Sequence, residues 1–236
     1  MIKMNLDNKK IEKLGRTVLH IPARKGSKRV PNKNMRMLNG KPMIGYTFDL
    51  ARNFNDVFEV FANTDSNEIS EYASSMDVKT YKRKPHLATD TASGDEFTID
   101  IINTLKPETL IMLNPVCPLI ELDDVTRAIE TYIATDGEKD TLISVSESNM
   151  QCLFNGEFLN INPEGPLAPS QENEKIEICN WAITIWNAKV FVDNYKKYEG
   201  GYCGTNRVLF PLSPLKSIKV SYEDDFRLAE SILKTR

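Results

Sequence analysis

The sequence is poor in the residues that build metal and disulfide sites. Among 236 residues it has two histidines and four cysteines. Cys117, Cys152, Cys179 and Cys203 stand far apart without a C-x-x-C spacing, which argues against a zinc site or a disulfide framework. Reduced thiols in a cytoplasmic setting are the simple expectation. No apolar run reaches about 18 residues, so no membrane-spanning helix is expected. Residues 1–15 are polar and charged with no apolar signal segment, so export is not expected either. Internal repeats and low-complexity linkers are absent. With 41% hydrophobic and 27% charged residues, the chain reads as a globular α/β domain spanning 1–236.

A further absence is local. Between Arg16 and Phe48 there is no Asp or Glu, yet eight Lys or Arg. The whole chain has a net charge of −3, so this asymmetry needs its own cause. The stretch begins with the apolar run 17–21, read as a first strand, and continues as Pro22-Ala23-Arg24-Lys25-Gly26-Ser27-Lys28-Arg29-Val30-Pro31-Asn32-Lys33-Asn34. Gly26 and Ser27 let backbone N–H groups approach an anion, while Arg24, Lys28 and Lys33 bring charge. A loop leaving the carboxyl end of a first strand is where α/β proteins hold phosphates. A solvated basic loop would explain the charges but not the Gly-Ser pair among them. A nucleic-acid surface fits poorly with the acidic overall balance and the strand–loop–helix setting.

Farther along, apolar runs at 57–62, 78–81, 109–113, 141–145, 176–185 and 207–212 predict strands of a mostly parallel sheet. Amphipathic segments at 5–14, 41–53, 67–74, 95–105, 125–135 and 222–233, and one beginning at 187–192, predict helices. Ser66 is the expected N-cap of the third, and Asp123-Asp124 suit the start of the fifth. The run 109–113 ends in Asn114-Pro115-Val116-Cys117-Pro118, a strand end of the kind that forms ligand crevices. Cys117 there reads as a packing residue, His86 as a loop residue, and Trp181 and Trp186 as packing aromatics. From 146 to 178 the pattern changes: Asn155-Gly156 predicts a type I′ turn in a small hairpin, followed by an irregular proline-containing stretch.

Ala23-Arg24-x-Gly26-Ser27-Lys28, then Lys33-Asn34, then Leu38-x-Gly40-Lys41-Pro42 before an apolar helix, resemble the N-terminal signature of the acylneuraminate cytidylyltransferases. These are the CMP-sialic acid synthetases, relatives of the CMP-Kdo synthetases. Pro85, Leu87, Ala88, Asp90 and Ser93 resemble a second family loop, with Lys84 where Arg is usual. Asn114 stands where Gln is usual, Asn180-Trp181-Ala182-Ile183 resembles a family strand, and Asp225-Phe226 with Ala229-Glu230 extends the likeness to about residue 230. The resemblance implies a Rossmann-like, three-layer nucleotidyltransferase fold with a small hairpin excursion. It implies a CTP-dependent enzyme that transfers CMP to an acidic, sialic-acid-like sugar acid and releases pyrophosphate. Arg24, Lys28 and Lys33 would then be catalytic. Ala23, Gly26, Ser27, Asn34, Lys84, Asp90 and Ser93 would bind CTP, and Asn114, Asn180 and Lys219 would face the acceptor. Mg²⁺ would be a cofactor, and residues 146–178 would cover the acceptor and join two copies in a homodimer. No nucleic-acid or membrane partner is implied.

One departure concerns the metal. The two aspartates that hold it in the family are Lys219 and Ser221 here, so its ligands stay unassigned. Glu223, Asp224, Asp225 or Asp90 would have to substitute, and helix capping is the simpler use of residues 223–225. The same departure keeps two alternatives open: a phosphorylated or phosphonate acceptor, and a nucleotide-binding protein without catalysis.

Overall fold

Seven runs of β-branched and apolar residues, separated by amphipathic segments, assemble into one central sheet. In the computed structural model, which describes residues 8–236, the chain runs α1 (Asn8–Ile11), β1 (Thr17–Pro22), β2 (Met37–Leu38), β3 (Lys41–Pro42), α2 (Met43–Ala51), β4 (Glu59–Thr64), α3 (Asn67–Ser75), β5 (Lys79–Lys82) and α4 (Gly94–Leu105). It continues β6 (Thr109–Leu113), α5 (Leu122–Ala134), β7 (Thr141–Ser148), β8 (Leu153–Phe154), β9 (Glu157–Phe158), β10 (Ile176–Asn187), α6 (Ala188–Tyr198), β11 (Arg207–Leu212) and α7 (Glu223–Leu233). The part of the expected N-terminal helix before Asn8 lies outside the described residues.

The large sheet has the order β11-β7-β10-β6-β1-β4-β5. β10 is antiparallel to β6 and β7, and the other pairings are parallel. β6 is buried along its whole length, as a central parallel strand with covered faces must be. Helices α2, α3 and α5 pack one face through Ile44, Phe48, Ile69, Val125 and Ile129. On the other face α4 and α6 pack through Ile101, Ile102 and Phe191 against Val18, Met112 and Trp186. The mostly parallel, three-layer α/β expectation therefore holds. α7 closes a smaller core beside the basic loop, where Phe226 and Ala229 meet Val30, Leu38 and Met43.

Several local signals act as read. Ser66 caps α3, its hydroxyl accepting from the Ile69 N–H. Asn155 and Gly156 both take positive φ (52° and 89°), the backbone of a type I′ turn between β8 and β9. Others differ. Residues 41–42 are a short strand rather than the first turn of α2, because they pair with Met37 and Leu38. The cap of α5 is Glu121, with Asp124 bonding back to its N–H, rather than the 123–124 pair itself.

β10 carries the irregularity that matters for the cleft. Its register against β7 shifts between Cys179 and Thr184, and Trp181 there has φ of 57°. A bulge of this kind re-aims side chains locally; here it turns the Trp181 ring onto Tyr202, with centroids 5.1 Å apart.

Candidate active site

β1, β4 and β6 deliver their carboxyl ends to one side of the molecule, and the basic loop leaves β1 there. A cavity of about 460 Å³ opens at this edge. Its walls are Pro22, Arg24, Gly26, Ser27, Lys28, Arg29, Lys33 and Asn34 from the loop, Arg83 and Asp90 from the segment after β5, and Phe97, Met112, Asn114, Val116 and Tyr202. Five cations thus face one carboxylate.

The loop is held open by its own backbone. Ala23 N–H donates to Asn63 O at 3.0 Å, and Lys25 N–H donates to the Asp65 carboxylate at 2.8 Å. Asn34 crosses the loop, its Nδ2 donating to Arg24 O at 3.1 Å, while its buried Oδ1 has no partner. Arg24 and Lys28 both pair with Asp90, at 2.6 and 2.5 Å, and those two hydrogen-bonded cations hold the Asp90 carboxyl below its ordinary range, Lys28 first. Both pairs are solvent-accessible and contribute little to stability. They do keep the cations poised where an entering anion could exchange with Asp90.

Lys33 is different. It has no carboxylate partner, and its ammonium donates to the Val220 carbonyl at 2.8 Å. Burial first, then the charges of Arg29, Lys219 and Arg24, lower its pKa to about 8. A cation held in such company is a strong anion acceptor, since the charge of a bound phosphate would offset both its lost hydration and the repulsion from its neighbours.

Opposite the loop lies an apolar wall. Arg83 is buried, donates from Nε and Nη2 to Asn63 Oδ1 and O at 2.9 and 3.0 Å, and stacks over Phe97 at 4.4 Å. Burial lowers its pKa to about 10. Tyr202 is fixed from several directions. Its N–H and that of Gly201 donate to Asp95, its hydroxyl donates to Met112 Sδ at 3.1 Å, and its carbonyl accepts from Trp186 Nε1 at 2.8 Å. Gly201 must be glycine for this loop to approach α6: a Cβ there would lie 2.6 Å from Phe191 O. The result is a half-polar pocket beside a row of cations.

Of the residues expected at the site, Arg24, Gly26, Ser27, Lys28, Lys33, Asn34, Asp90 and Asn114 come together in the cleft. Ala23 is buried beneath the loop and contributes its backbone. Lys84 points away to Asp100 at 2.5 Å, so the cation this segment brings is the preceding Arg83. The Ser93 hydroxyl is the N-cap of α4, accepting from Glu96 N–H. Asn180 is buried beside Ser144, Ala182 and Ser217, and bonds all three, which makes it a brace for the bulge. Lys219 is exposed on the segment that Val220 N–H anchors to Val116 O at 2.8 Å. Arg83, Phe97 and Tyr202 were not read from the sequence.

The carboxylates near this edge do not fit a protein-held Mg²⁺. Asp90 is paired twice, Glu223 is bidentate on Arg36 at 2.6 and 2.8 Å, Asp225 accepts from the Ser221 and Tyr222 N–H groups at 2.8 Å each, and Asp224 stands exposed in the first turn of α7 with no second unpaired carboxylate gathered beside it. Among the described residues no three His, Cys, Asp or Glu side chains gather as a metal site.

An α/β sheet with a cation-lined crevice at the carboxyl ends of its strands, one antiparallel strand and a long glycine-containing first loop defines a nucleotidyltransferase-type architecture. The family model described as Cytidylyltransferase matches residues 18–161, more than half of the chain, and the chain belongs to that enzyme family. It is 35% identical over 213 residues to the N-acylneuraminate cytidylyltransferase of Streptococcus agalactiae serotype V, covering 87% of this chain and 50% of that protein. It is 27% identical over 229 residues to the CMP-N,N'-diacetyllegionaminic acid synthase of Legionella pneumophila, covering 91% and 94%. The chain spans half the streptococcal relative and almost the whole of the Legionella one. Two solved structures share the fold. The CMP:2-keto-3-deoxy-manno-octonic acid synthetase complexed with CTP gives a TM-score of 0.68 at 18% identity, covering 94% of this chain and 99% of that one. The 4-diphosphocytidyl-2C-methyl-D-erythritolsynthase from Anaerococcus prevotii gives 0.69 at 12% identity, covering 97% and 100%. No helix among the described residues is long and apolar enough to cross a membrane.

Proposed function

We propose that this enzyme binds CTP in the cleft and transfers CMP to a small acidic acceptor, releasing pyrophosphate. The observation that carries the reading is the cleft itself: Arg24, Lys28, Arg29, Lys33 and Arg83 against the single carboxylate Asp90, beside an aromatic wall. In this reading Arg24 and Lys28 leave Asp90 to take the outer phosphates, and the departing pyrophosphate keeps those contacts. Gly26 and Ser27 bring backbone N–H groups to the chain of phosphates, and Lys33 sits at the α-phosphate. The base lies between Arg83–Phe97 and Tyr202. The acceptor enters past Asn114, with Lys219 at the rim. Such a transfer needs positioning and charge neutralisation and no protein nucleophile.

The names of the relatives support a sugar acid of the sialic or legionaminic type as the acceptor, and the family supports cytosine as the base. A second acceptor class, a phosphorylated or phosphonate compound, is favoured by Lys219, whose positive charge would in this reading lie at the rim of the acceptor end. The name of one structural neighbour, a diphosphocytidyl synthase, is consistent with that linkage on this fold. We further propose that residues 146–178 form a homodimer contact that covers the acceptor. The test of the central reading is pyrophosphate release from CTP across a panel of sugar acids, phosphate monoesters and phosphonates. Release that requires both CTP and an acceptor supports it; no release from any acceptor refutes it.

A further inference from the structure

We infer that the nucleophile this cleft receives is an already ionised oxygen of a phosphate or phosphonate group, met by Lys219, Lys33 and Arg29. The inference rests on the CMP-transfer reading above and concerns only the class of acceptor.

The placement comes first. Val220 N–H donates to Val116 O at 2.8 Å, and Val220 O accepts from Lys33 at the same distance. The segment with Lys219 is thus clamped between the turn after β6 and the basic loop, at the end of the cleft lined by Asn114 and Val116. Arg29 approaches the same segment, its guanidinium 5.2 Å from the Tyr222 ring centroid. Of the acidic residues that follow Lys219, Glu223 holds Arg36, Asp225 holds two backbone N–H groups and Asp224 is exposed to solvent, and none of them is paired with Lys219. Among the described residues none of Lys33, Lys219 and Arg29 has a carboxylate at ion-pair distance, whereas Arg24 and Lys28 share Asp90.

The chemistry then selects the nucleophile. A hydroxyl acceptor must lose a proton as it attacks, which calls for a base in reach. Asp90, the one carboxylate of the lining, stands beside Arg24 and Lys28 at the end given to the outer phosphates, the lining has no histidine, and His20 is fully buried. Lys33 donates to Val220 and would be held charged by the phosphates beside it. A phosphate monoester or phosphonate needs no base, because at pH 7 it already carries at least one ionised oxygen. Its oxygen lone pair forms the new O–Pα bond, the bond from Pα to the bridging oxygen of the β-phosphate breaks, and that electron pair leaves with pyrophosphate. No proton changes hands. The difficulty of such a step is repulsion between two anions, and three cations without carboxylate partners oppose that repulsion.

The experiment has two arms. CTP is incubated with N-acetylneuraminate, glycerol 3-phosphate, ribose 5-phosphate or 2-hydroxyethylphosphonate. Pyrophosphate is measured, and ³¹P NMR separates a phosphate–phosphate anhydride from a phosphate–phosphonate one. In parallel, methylphosphonate and acetate are titrated into the protein saturated with a non-hydrolysable CTP analogue. The expected result is an anhydride with at least one of the phosphorus acceptors. Methylphosphonate should bind about tenfold or more tightly than acetate, an advantage that Lys219→Ala removes and Lys219→Arg largely restores. Turnover of N-acetylneuraminate with no phosphorus acceptor used overturns this inference and leaves CMP transfer standing. Equal binding of the two small anions, or a Lys219→Ala variant that keeps the preference, overturns it as well. No pyrophosphate from any acceptor refutes the transferase reading itself.

Discussion

Lys33 donates to the Val220 carbonyl at 2.8 Å, joining two segments 187 residues apart in sequence. The bond closes the cleft at one corner and brings the ammonium among Arg29, Lys219 and Arg24, whose charges lower its pKa together with burial. The basic loop and the C-terminal segment therefore form one electrostatic unit, although the sequence marks the former by its charge and the latter only through the family resemblance.

The first prediction concerns binding of the triphosphate. Arg24→Ala and Lys33→Ala each remove a cation aimed at phosphate, a charge-assisted contact of about 1.5–3 kcal/mol. Each variant is expected to bind CTP at least about tenfold more weakly by calorimetry. Since Arg24 is paired with Asp90 before the ligand enters, its variant should show the smaller loss. Wild-type affinity in both would remove the phosphate assignment of the loop.

The pH dependence follows from the sign of the Lys33 shift. In the unliganded protein its pKa is lowered to about 8, and bound phosphate should raise it again. At pH 8 roughly half of the free molecules carry the proton, so CTP binding should take up a fraction of a proton there. Well below pH 8 Lys33 is already charged and its uptake vanishes; as pH rises through 8, CTP affinity should fall. Calorimetry in two buffers of different ionisation enthalpy measures the uptake, and Lys33→Met should abolish the difference. Equal proton uptake at pH 8 in wild type and variant would contradict the assignment.

Arg83 offers a test of the wall opposite the loop. Its two bonds to Asn63 and its stacking on Phe97 are made inside the protein. Arg83→Ala leaves Asn63 Oδ1 buried without a donor, at a cost of about 1–3 kcal/mol. For a chain of this size that lowers Tm by very roughly 2–12 °C. Arg83→Lys keeps the charge and loses the planar fork, so it should recover stability only in part. Thermal melts with and without CTP separate the two roles: a smaller CTP-induced rise in Tm in the lysine variant marks a loss of ligand contact. An unchanged rise would confine Arg83 to structure.

What could be read in advance, and what could not, divides along physical lines. Strand and helix order was legible because hydrophobic period is a local property. The basic loop was legible because thirty-odd residues without a carboxylate are a strong signal. Of Lys82-Arg83-Lys84 the resemblance selects Lys84, the wrong one, because three consecutive cations look alike until the strand phase chooses which one enters the cleft. Arg83 N–H extends the ladder by bonding Thr64 O, and that single residue of extra register sends Arg83 inward and Lys84 to Asp100. Asn180 read as an acceptor ligand because its partners, Ser144 and Ser217, are 36 and 37 residues away in the chain. Tyr202 gave no signal, since its wall position depends on Asp95, Met112 and Trp186 from three separate elements.

The last prediction concerns assembly. Among the described residues, Met150, Leu153, Phe154, Phe158, Leu159, Leu167 and Ile178 are exposed, seven of the twelve large apolar side chains that are, and all lie between 150 and 178. The β8–β9 hairpin forms a two-stranded sheet of its own, and its four strand residues are exposed. An isolated two-stranded hairpin is marginal in water, and a cluster of exposed apolar groups marks an interaction surface. A second copy of the chain would bury both clusters at once in an isologous contact. Light scattering should therefore report a dimer. The double substitution Leu153→Ser and Phe154→Ser should shift it toward monomer while the far-ultraviolet dichroism of the main sheet persists. If residues 146–178 also cover the acceptor, the monomeric variant should keep its CTP affinity and lose turnover, chiefly through a higher KM for the acceptor. A wild-type chain that stays monomeric at high protein concentration would refute the dimer. A dimer that survives the double substitution would move the interface elsewhere.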